Sequence, residues 1–543
     1  MAREDEMLKE RLRKIDELRA LKVNPYPYKF EPKNKAAELQ AKYAKLRGDE
    51  VTKDKATIAG RLMSVRSFGK IHFAHLADTT GKVQIVIEEK ASGKKINDFF
   101  SKYIDSGDIV GVEGIMHKTK RGEVSLLVKN FELLSKAINP LPDKWHGLQD
   151  KEERYRKRYV DLIISPEVRK TFEIRSKIIE SVRETLNAKG FIEVETPLLQ
   201  PVYGGAEARP FITHLNDLKI DMYMSISPEL YLKRLLVGGF DKVYTICKNF
   251  RNEGIDKSHN PEFTMMECYW AYADYEDMID LFEELYEDAM KKVCGTTEID
   301  YQGQKISFKR PWERITMADG IERYGGFNAN KLSEADLINK AKGLGIDIDA
   351  KLPKGLIIAE IFKEIVEPKL IQPTHVIDQP KETTPLCKVH RDNPELIERD
   401  EPFIATMEVG NIYSELNDPI LQKKLFEEQA KAAAKKDGLG HPYDQDYLDA
   451  LGYGMPPAGG LGIGIDRMTM LLTNSHSIRD VILFPFMKPE ATETAGAPAT
   501  PKAEDKNEKL AVNTKIKVEK KAKPEAKVKA EKKPSKATKS KNK

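Results

Sequence analysis

The sequence predicts a multidomain chain, with a small five-stranded β-barrel first, a larger α+β domain after it and a disordered lysine-rich tail at the C-terminus. Three observations carry this reading. The chain has 543 residues, too many for one hydrophobic core. Between Ala56 and Leu134 the pattern becomes short apolar-polar alternations, the period of half-buried strands. Past Pro489 the composition collapses into Lys, Ala, Glu and Pro with almost no aromatics, so that segment cannot bury enough apolar surface to offset its ordering entropy.

Residues 5 to 22 predict a helix, because Met7, Leu8, Leu12, Ile15, Leu18 and Leu21 recur at threes and fours. Asn24-Pro25-Tyr26-Pro27 stops it. A second, polar helix is expected from Lys35 to Leu46 as a surface or RNA-side appendage. Thr57 to Val65, Ile71 to Ala77, Val83 to Ile87, Ile109 to His117 and Val124 to Leu133 read as five strands. The turn Asp78-Thr79-Thr80-Gly81 joins two of them, and a helix at Ile96 to Tyr103 separates the third from the fourth. Five strands with a helix at that place fit an oligonucleotide-binding (OB-fold) barrel. Ser165-Pro166-Glu167 then caps a long helix whose stripe is Val168, Phe172, Ile179, Val182 and Leu186, closed by Gly190. The divisions implied are a helical extension over 1–50, the barrel over 51–140, a linker over 141–165 that includes a charged connector from Trp145 to Asp161, an α+β domain over 166–490 and the tail over 491–543.

Composition excludes several classes. Charged residues are 32% and hydrophobic ones 40%, and no run of about 18 apolar residues exists to span a bilayer. The charged N-terminus lacks the apolar core of a secretion signal, so a cytoplasmic protein is expected. Cys247, Cys268, Cys294 and Cys387 have no metal or redox spacing and read as packing residues. The net charge of +4 is uneven: residues 491–543 hold 16 Lys against 7 acids, a surplus of +9, which leaves the rest near −5.

Three stretches carry the chemistry. Gly190 to Pro197 runs a helix end into a strand, which by itself reads as a core strand. Phe250-Arg251-Asn252-Glu253-Gly254 and His259 to Trp270 form a hairpin that brings together a cation, an acid and the aromatic Phe263; an arginine fork suits phosphate and carboxylate oxygens. Gly459-Gly460-Leu461-Gly462-Ile463-Gly464 is a glycine-rich strand, a sign that a ligand or backbone passes close by, and Arg467 follows in the first turn of a helix, where a cation is unfavourable without an anion opposite. No phosphate-binding glycine loop ending in Lys-Ser/Thr is present, so phosphates must be held otherwise.

In this order, the three stretches resemble the signature motifs of class II aminoacyl-tRNA synthetases, and a barrel ahead of them resembles the subclass that charges Lys, Asp and Asn. Gly204 to Phe211, Ser227-Pro228-Glu229-Leu230 and Gly410 to Pro419 resemble its lysyl members. The resemblance covers residues 55 to 488. It implies a catalytic domain on an antiparallel sheet, ATP-dependent attachment of L-lysine to tRNA(Lys) through a lysyl-adenylate, Mg2+ as cofactor and a homodimer.

By the same resemblance, Arg251 holds the α-phosphate and the lysine carboxylate, Arg467 holds the γ-phosphate, Phe263 stacks on adenine opposite Arg467, Glu253 meets the adenine amine and His259 the phosphates. Glu401 and Glu408 match the magnesium acids; seven residues is an odd spacing on one strand, so a bend at Pro402 is expected between them. Glu415 and Tyr269 match the seat of the ε-ammonium, Glu229 and Gly205 that of the α-amine, with Asn411, Tyr413 and Glu267 beside them. Buried acids there favour a cation, where an aspartyl enzyme needs the opposite charge. Phe73 and Gln84 match residues that read the central anticodon base, assisted by Arg66 and Glu113; plain barrel core is the rival reading of Phe73. Glu207 departs from the small residue usual in its loop and is expected to face solvent. The tail has no counterpart in the shared core. A relative that lysylates a protein would lack the barrel, and a non-catalytic RNA-binding paralogue would lack Arg251, Arg467 or the magnesium acids.

Overall fold

The computed structural model describes residues 2–142, 150–436 and 443–490, without the side chains of 2–4 and 432–436. The expected tail over 491–543 and the connector's start at Trp145 lie outside the described residues. The chain divides after Met487, and the architecture below belongs to the first unit.

Strands β1 (Val51–Phe68), β2 (Ile71–Ala77), β3 (Lys82–Glu88), β4 (Ile109–Lys118) and β5 (Val124–Ser135) close a barrel in the order β1-β2-β3-β5-β4. Alternation decides its inside: Ala74 and Leu76 of β2, Val83, Ile85 and Ile87 of β3, and Val110 and Val112 of β4 are buried together. The Asp78 carboxylate accepts the backbone N–H groups of Thr80 and Gly81, which fixes the β2–β3 turn.

Two expectations change here. Helix α1 (Ala2–Ala20) buries Ile15 and Leu18 but leaves Met7, Leu12 and Leu21 exposed. The side chain next to Leu12, Arg11, is buried instead and donates to the carbonyls of Ser106, Ala137 and Asn139, so the helix is pinned to the barrel by a guanidinium as well as by leucines. Helix α2 (Ala36–Tyr43) is no appendage: Ala36, Leu39 and Tyr43 enter the barrel core. Helix α3 (Lys94–Tyr103) lies between β3 and β4 and contributes Phe100.

The described part of the connector is folded. Two short helices, Lys151–Arg156 and Arg158–Ile164, dock through the buried Arg158, which pairs with Asp161 at 3.0 Å and donates to the carbonyls of Arg479 and Leu483. Helix α4 (Pro166–Ala188) follows. The Ser165 side chain makes no cap hydrogen bond, and the buried stripe uses Ile178 where Ile179 was expected.

The second domain is a sheet of β6 (Ile192–Glu193), β7 (Lys242–Phe250), β8 (Glu262–Ala271), β9 (Glu313–Thr316), β10 (Thr374–Pro380), β11 (Leu396–Ile404), β12 (Met407–Glu408), β13 (Gly410–Ser414) and β14 (Ala458–Gly464). Their order is β9-β10-β11-β13-β14-β8-β7-β6, with β12 folded back on β11. Pairing is antiparallel except at the two margins, β9–β10 and β7–β6. Strand β6 is a two-residue edge with both side chains exposed, not the core strand its apolar setting suggested. One face of the sheet, with Met266, Cys268, Leu461, Ile463 and Ile412, packs on α4 and on α6 (Tyr275–Cys294). Helix α8 (Ile465–Leu472) joins that core through Met468 and Leu471, and the other face, with α5 (Glu229–Val237) and α7 (Gln445–Gly452) around it, holds the site. No described helix is long and apolar enough to cross a membrane.

Candidate functional site

Register builds the site's floor. Tyr269 and Glu267 of β8 pair with Gly460 and Gly462 of β14, which pair in turn with Tyr413 and Asn411 of β13. Laterally paired residues share a face, so four functional side chains rise around two glycines. A Cβ on Gly460 would lie 1.9 Å from Glu415 Oε1 and 2.6 Å from the Tyr269 ring, which explains why the middle strand carries no side chain there. Gly205, at φ +85°, has no room for a Cβ between Ser227 and Glu229.

A cavity of about 430 Å³ lies over this floor. Its lining includes Gly205, Glu229, Glu267, Tyr269, Asn411, Tyr413 and Glu415 at one end, and Arg251, Glu253, His259, Phe263, Glu401, Glu408 and Arg467 at the other. The structure thus brings together every site residue expected in the second domain. Glu207 is exposed at the rim.

The first end is an anionic pocket. Glu267 accepts from the Ser227 hydroxyl at 2.9 Å and the Tyr269 hydroxyl at 3.1 Å, yet burial and the nearby Glu229 push its carboxyl up to about 8. Burial likewise raises Glu415, against the pull of Lys233, whose Nζ lies 2.5 Å from Glu415 Oε2. Glu415 Oε1 is buried and has no hydrogen-bond partner. A buried acceptor left unpaired costs roughly 1–3 kcal/mol, so it marks a seat for a donor. Arg399 closes the wall: it donates to Asn411 at 3.2 Å, lies over the Tyr413 ring at 5.7 Å and pairs with Glu401.

The second end is cationic and aromatic. Strand β7 delivers Arg251 just past its last residue, and the Arg251 N–H to Pro261 carbonyl bond of 2.9 Å holds the loop ends together. The guanidinium sits 5.1 Å from the Phe263 ring centroid, and its buried Nε has no partner. Glu253 and His259 ride on the exposed loop between the strands; His259 is held by Asp256 at 2.8 Å. Arg467, in the first turn of α8, donates to the Glu408 carbonyl and lies 3.6 Å from its carboxylate, which supplies the anion that position requires.

Glu401 and Glu408 come together differently from expectation. Pro402 lies within β11; the reversal is at Ala405 and Thr406, both at positive φ, and pairs Phe403 with Glu408. Two left-handed residues give the tight turn whose twist matches the strands, so seven positions in sequence become neighbours in space. Glu367, not anticipated, adds a third acid: burial, then Glu401 and Glu408, push it up to about 7. Carboxylate oxygens crowded beside two arginines fit a magnesium ion that also takes phosphate oxygens, a mode that needs only one or two protein acids. Among the described residues no group of three or more acids, His or Cys forms a complete metal cage.

Arg175 and Asp466 were also missed in sequence. Arg175 of α4 donates to Asp466 of α8 at 2.6 Å and to Thr264 of β8 at 3.0 Å, while Asp466 accepts the Thr264 N–H at 2.6 Å. This largely buried ion pair therefore ties α4, which leads into the first motif stretch, to the elements that carry the other two. Its signal in sequence was the acid beside Arg467, without any hint of its partner.

On the barrel, Arg66 pairs across strands with Phe73, and His75 with Gln84, on one outer face. Phe73 is half-buried and alternates with the buried His72 and Ala74, so it is not barrel core. Glu113 does not join them. It sits on β4, opposite Thr57 and Asn130, and β4 neighbours neither β2 nor β3. The acid of that face is Glu123, which accepts from Gln84 at 2.6 Å and pairs with His75 at 2.7 Å.

Residues 150–488 match the family described as tRNA synthetases class II (D, K and N), and residues 56–134 match the OB-fold nucleic acid binding domain. The lysine–tRNA ligase of Carboxydothermus hydrogenoformans is 52% identical over 486 residues, covering 89% of this chain and 98% of that protein. That of Pelotomaculum thermopropionicum is 51% identical over 488 residues, covering 89% and 95%. That of Thermotoga maritima is 48% identical over 489 residues, covering 90% and 97%.

Proposed function

The chain belongs to the class II tRNA synthetases, among the lysine–tRNA ligases, and from that premise we propose how its own residues attach L-lysine to tRNA(Lys). The lysine carboxylate attacks the α-phosphorus of ATP, diphosphate leaves and lysyl-adenylate forms; a terminal ribose hydroxyl of the tRNA then attacks the acyl carbon and AMP leaves. Both steps need charge neutralisation and alignment more than a base. Arg251 draws the carboxylate and the α-phosphate together, Arg467 receives the γ-phosphate, and Phe263 carries adenine opposite Arg467, with Glu253 at its amine. His259 reaches phosphate from the loop. Mg2+, when bound, supplies positive charge among the phosphate oxygens, and Glu401 and Glu408 would hold it. Glu415 and Tyr269 take the ε-ammonium, Glu229 and Gly205 the α-ammonium, with Glu267, Asn411 and Tyr413 between. Phe73, Gln84 and Arg66, with Glu123 in the place first given to Glu113, read the anticodon. The enzyme works in the cytoplasm as a homodimer.

The observation that carries the lysine assignment is the partnerless Glu415 Oε1 in a buried pocket with three acids on its wall. Glu415→Gln is expected to raise the Michaelis constant for lysine at least about tenfold, on the order of 1.4 kcal/mol, with that for ATP unchanged. An unaltered lysine constant removes Glu415 from the ammonium seat.

A further inference from the structure

Lys233 is a lysine inside the wall of a lysine pocket. It is fully buried, on α5 one turn after Glu229. Its Nζ lies 2.6 Å from Glu229 Oε1 and 2.5 Å from Glu415 Oε2, with the Leu386 carbonyl at 3.4 Å. We propose that Lys233 is a specificity-determining positioning residue: its ammonium bridges Glu229 and Glu415, fixing the span between them and leaving the lysine-filled pocket two negative charges, one for each ammonium group of lysine. The proposal rests on the reading of Glu229 and Glu415 as the two ends of that pocket.

The charges that face the bridge support the count. Glu229 comes from α5, Glu267 and Tyr269 from β8, Tyr413 from β13, Glu415 from just beyond it, Tyr447 from α7 and Cys387 from the adjoining loop. Arg399 on β11 is already paired with Glu401. Lys233 is therefore the cation paired with Glu229 and Glu415, while Arg251 acts on Glu267 from the other end of the cavity. Burial works against its charge, but Glu229 and Glu415 outweigh burial and hold its pKa well above the ordinary ammonium value. The bridge uses one oxygen of each carboxylate, and a carboxylate has room for more donors. Glu415 Oε1 stays available. Without the bridge, the acids in this desolvated compartment repel more strongly, and a second proton joins the one Glu267 holds in the empty pocket. A neutral carboxyl then receives an ammonium poorly, and a substrate with an uncharged side chain is no longer penalised as strongly.

The test is the lysine and ATP Michaelis constants in ATP–pyrophosphate exchange, from pH 6.5 to 8.0, for Lys233→Met, Lys233→Arg and Glu415→Gln. Lys233→Met is expected to raise the lysine constant at least about tenfold at pH 7 while leaving that of ATP within about twofold. Its lysine constant falls more steeply with pH than the wild type's, by up to about one proton, because binding must expel the proton the bridge had kept away. A wild-type slope, or lysine and ATP constants rising together, overturns the proposal. Should Lys233→Met fail to fold, Lys233→Arg decides: it keeps the cation, so a wild-type slope is expected, with a lysine constant within about threefold. A larger rise at unchanged melting temperature contradicts the bridge. If Glu415→Gln leaves the lysine constant unchanged, the pocket assignment itself fails; if it raises the constant and Lys233→Met does not, only the bridge fails.

Discussion

Glu267 shows how a single residue makes this pocket respond to pH. Burial and Glu229 raise its carboxyl from the usual 4.5 to about 8. Its folded pKa thus lies above the unfolded one, so the folded chain holds an extra proton between those values and the residue costs stability as pH climbs through that window. An incoming ammonium favours the ionised form, so lysine expels the proton on binding. The lysine Michaelis constant should therefore fall as pH rises from 6.5 to 8.0, at most about tenfold per unit. A flat profile over that range contradicts the assignment. Tyr269, Glu415 and Glu229 were legible in sequence because they stand in motifs. Lys233 was not, since a lysine on an amphipathic helix reads as exposed, and only the fold brings Glu415 to it. Glu113 misled because strand alternation tells inside from outside and says nothing of which outer face.

Elements were legible where periodicity ruled. All five barrel strands and the helix before β4 follow from alternation and turn chemistry, and Arg251 falls where its apolar strand ends. What escaped needed long-range partners. The Arg175–Asp466 pair joins α4 to α8, and the Ala405-Thr406 reversal rests on two non-glycine residues at positive φ, which no sequence rule singles out. A separate three-stranded sheet of Leu199–Gln200, Ile212–Leu215 and Ile220–Met224 leaves Leu199 53%, Ile212 62% and Leu218, in the turn between the last two strands, 63% exposed. Leu199 and Ile212 pair with the consecutive Met224 and Tyr223 and so lie on opposite faces, and the proposed homodimer would cover one of these faces. The protein is expected to sediment at about twice its 61.7 kDa chain mass, and Leu199→Asp to shift it toward the single chain. A wild type that sediments as one chain contradicts that reading.

At the scale of the molecule, an OB-fold barrel precedes a sheet whose glycine floor underlies one cavity, acidic at one end and basic and aromatic at the other. The barrel sets this chain apart from relatives that lysylate proteins. Arg251, Arg467, Glu401 and Glu408 set it apart from a non-catalytic paralogue. In the proposed reading, buried acids make the enzyme choose lysine, and amino-acid-dependent exchange of pyrophosphate into ATP measures that choice. Lysine should drive exchange at least about a hundredfold better than norleucine, aspartate or asparagine, the scale expected when buried polar groups are left unpaired by the wrong substrate. Exchange with aspartate or asparagine but not with lysine would contradict it.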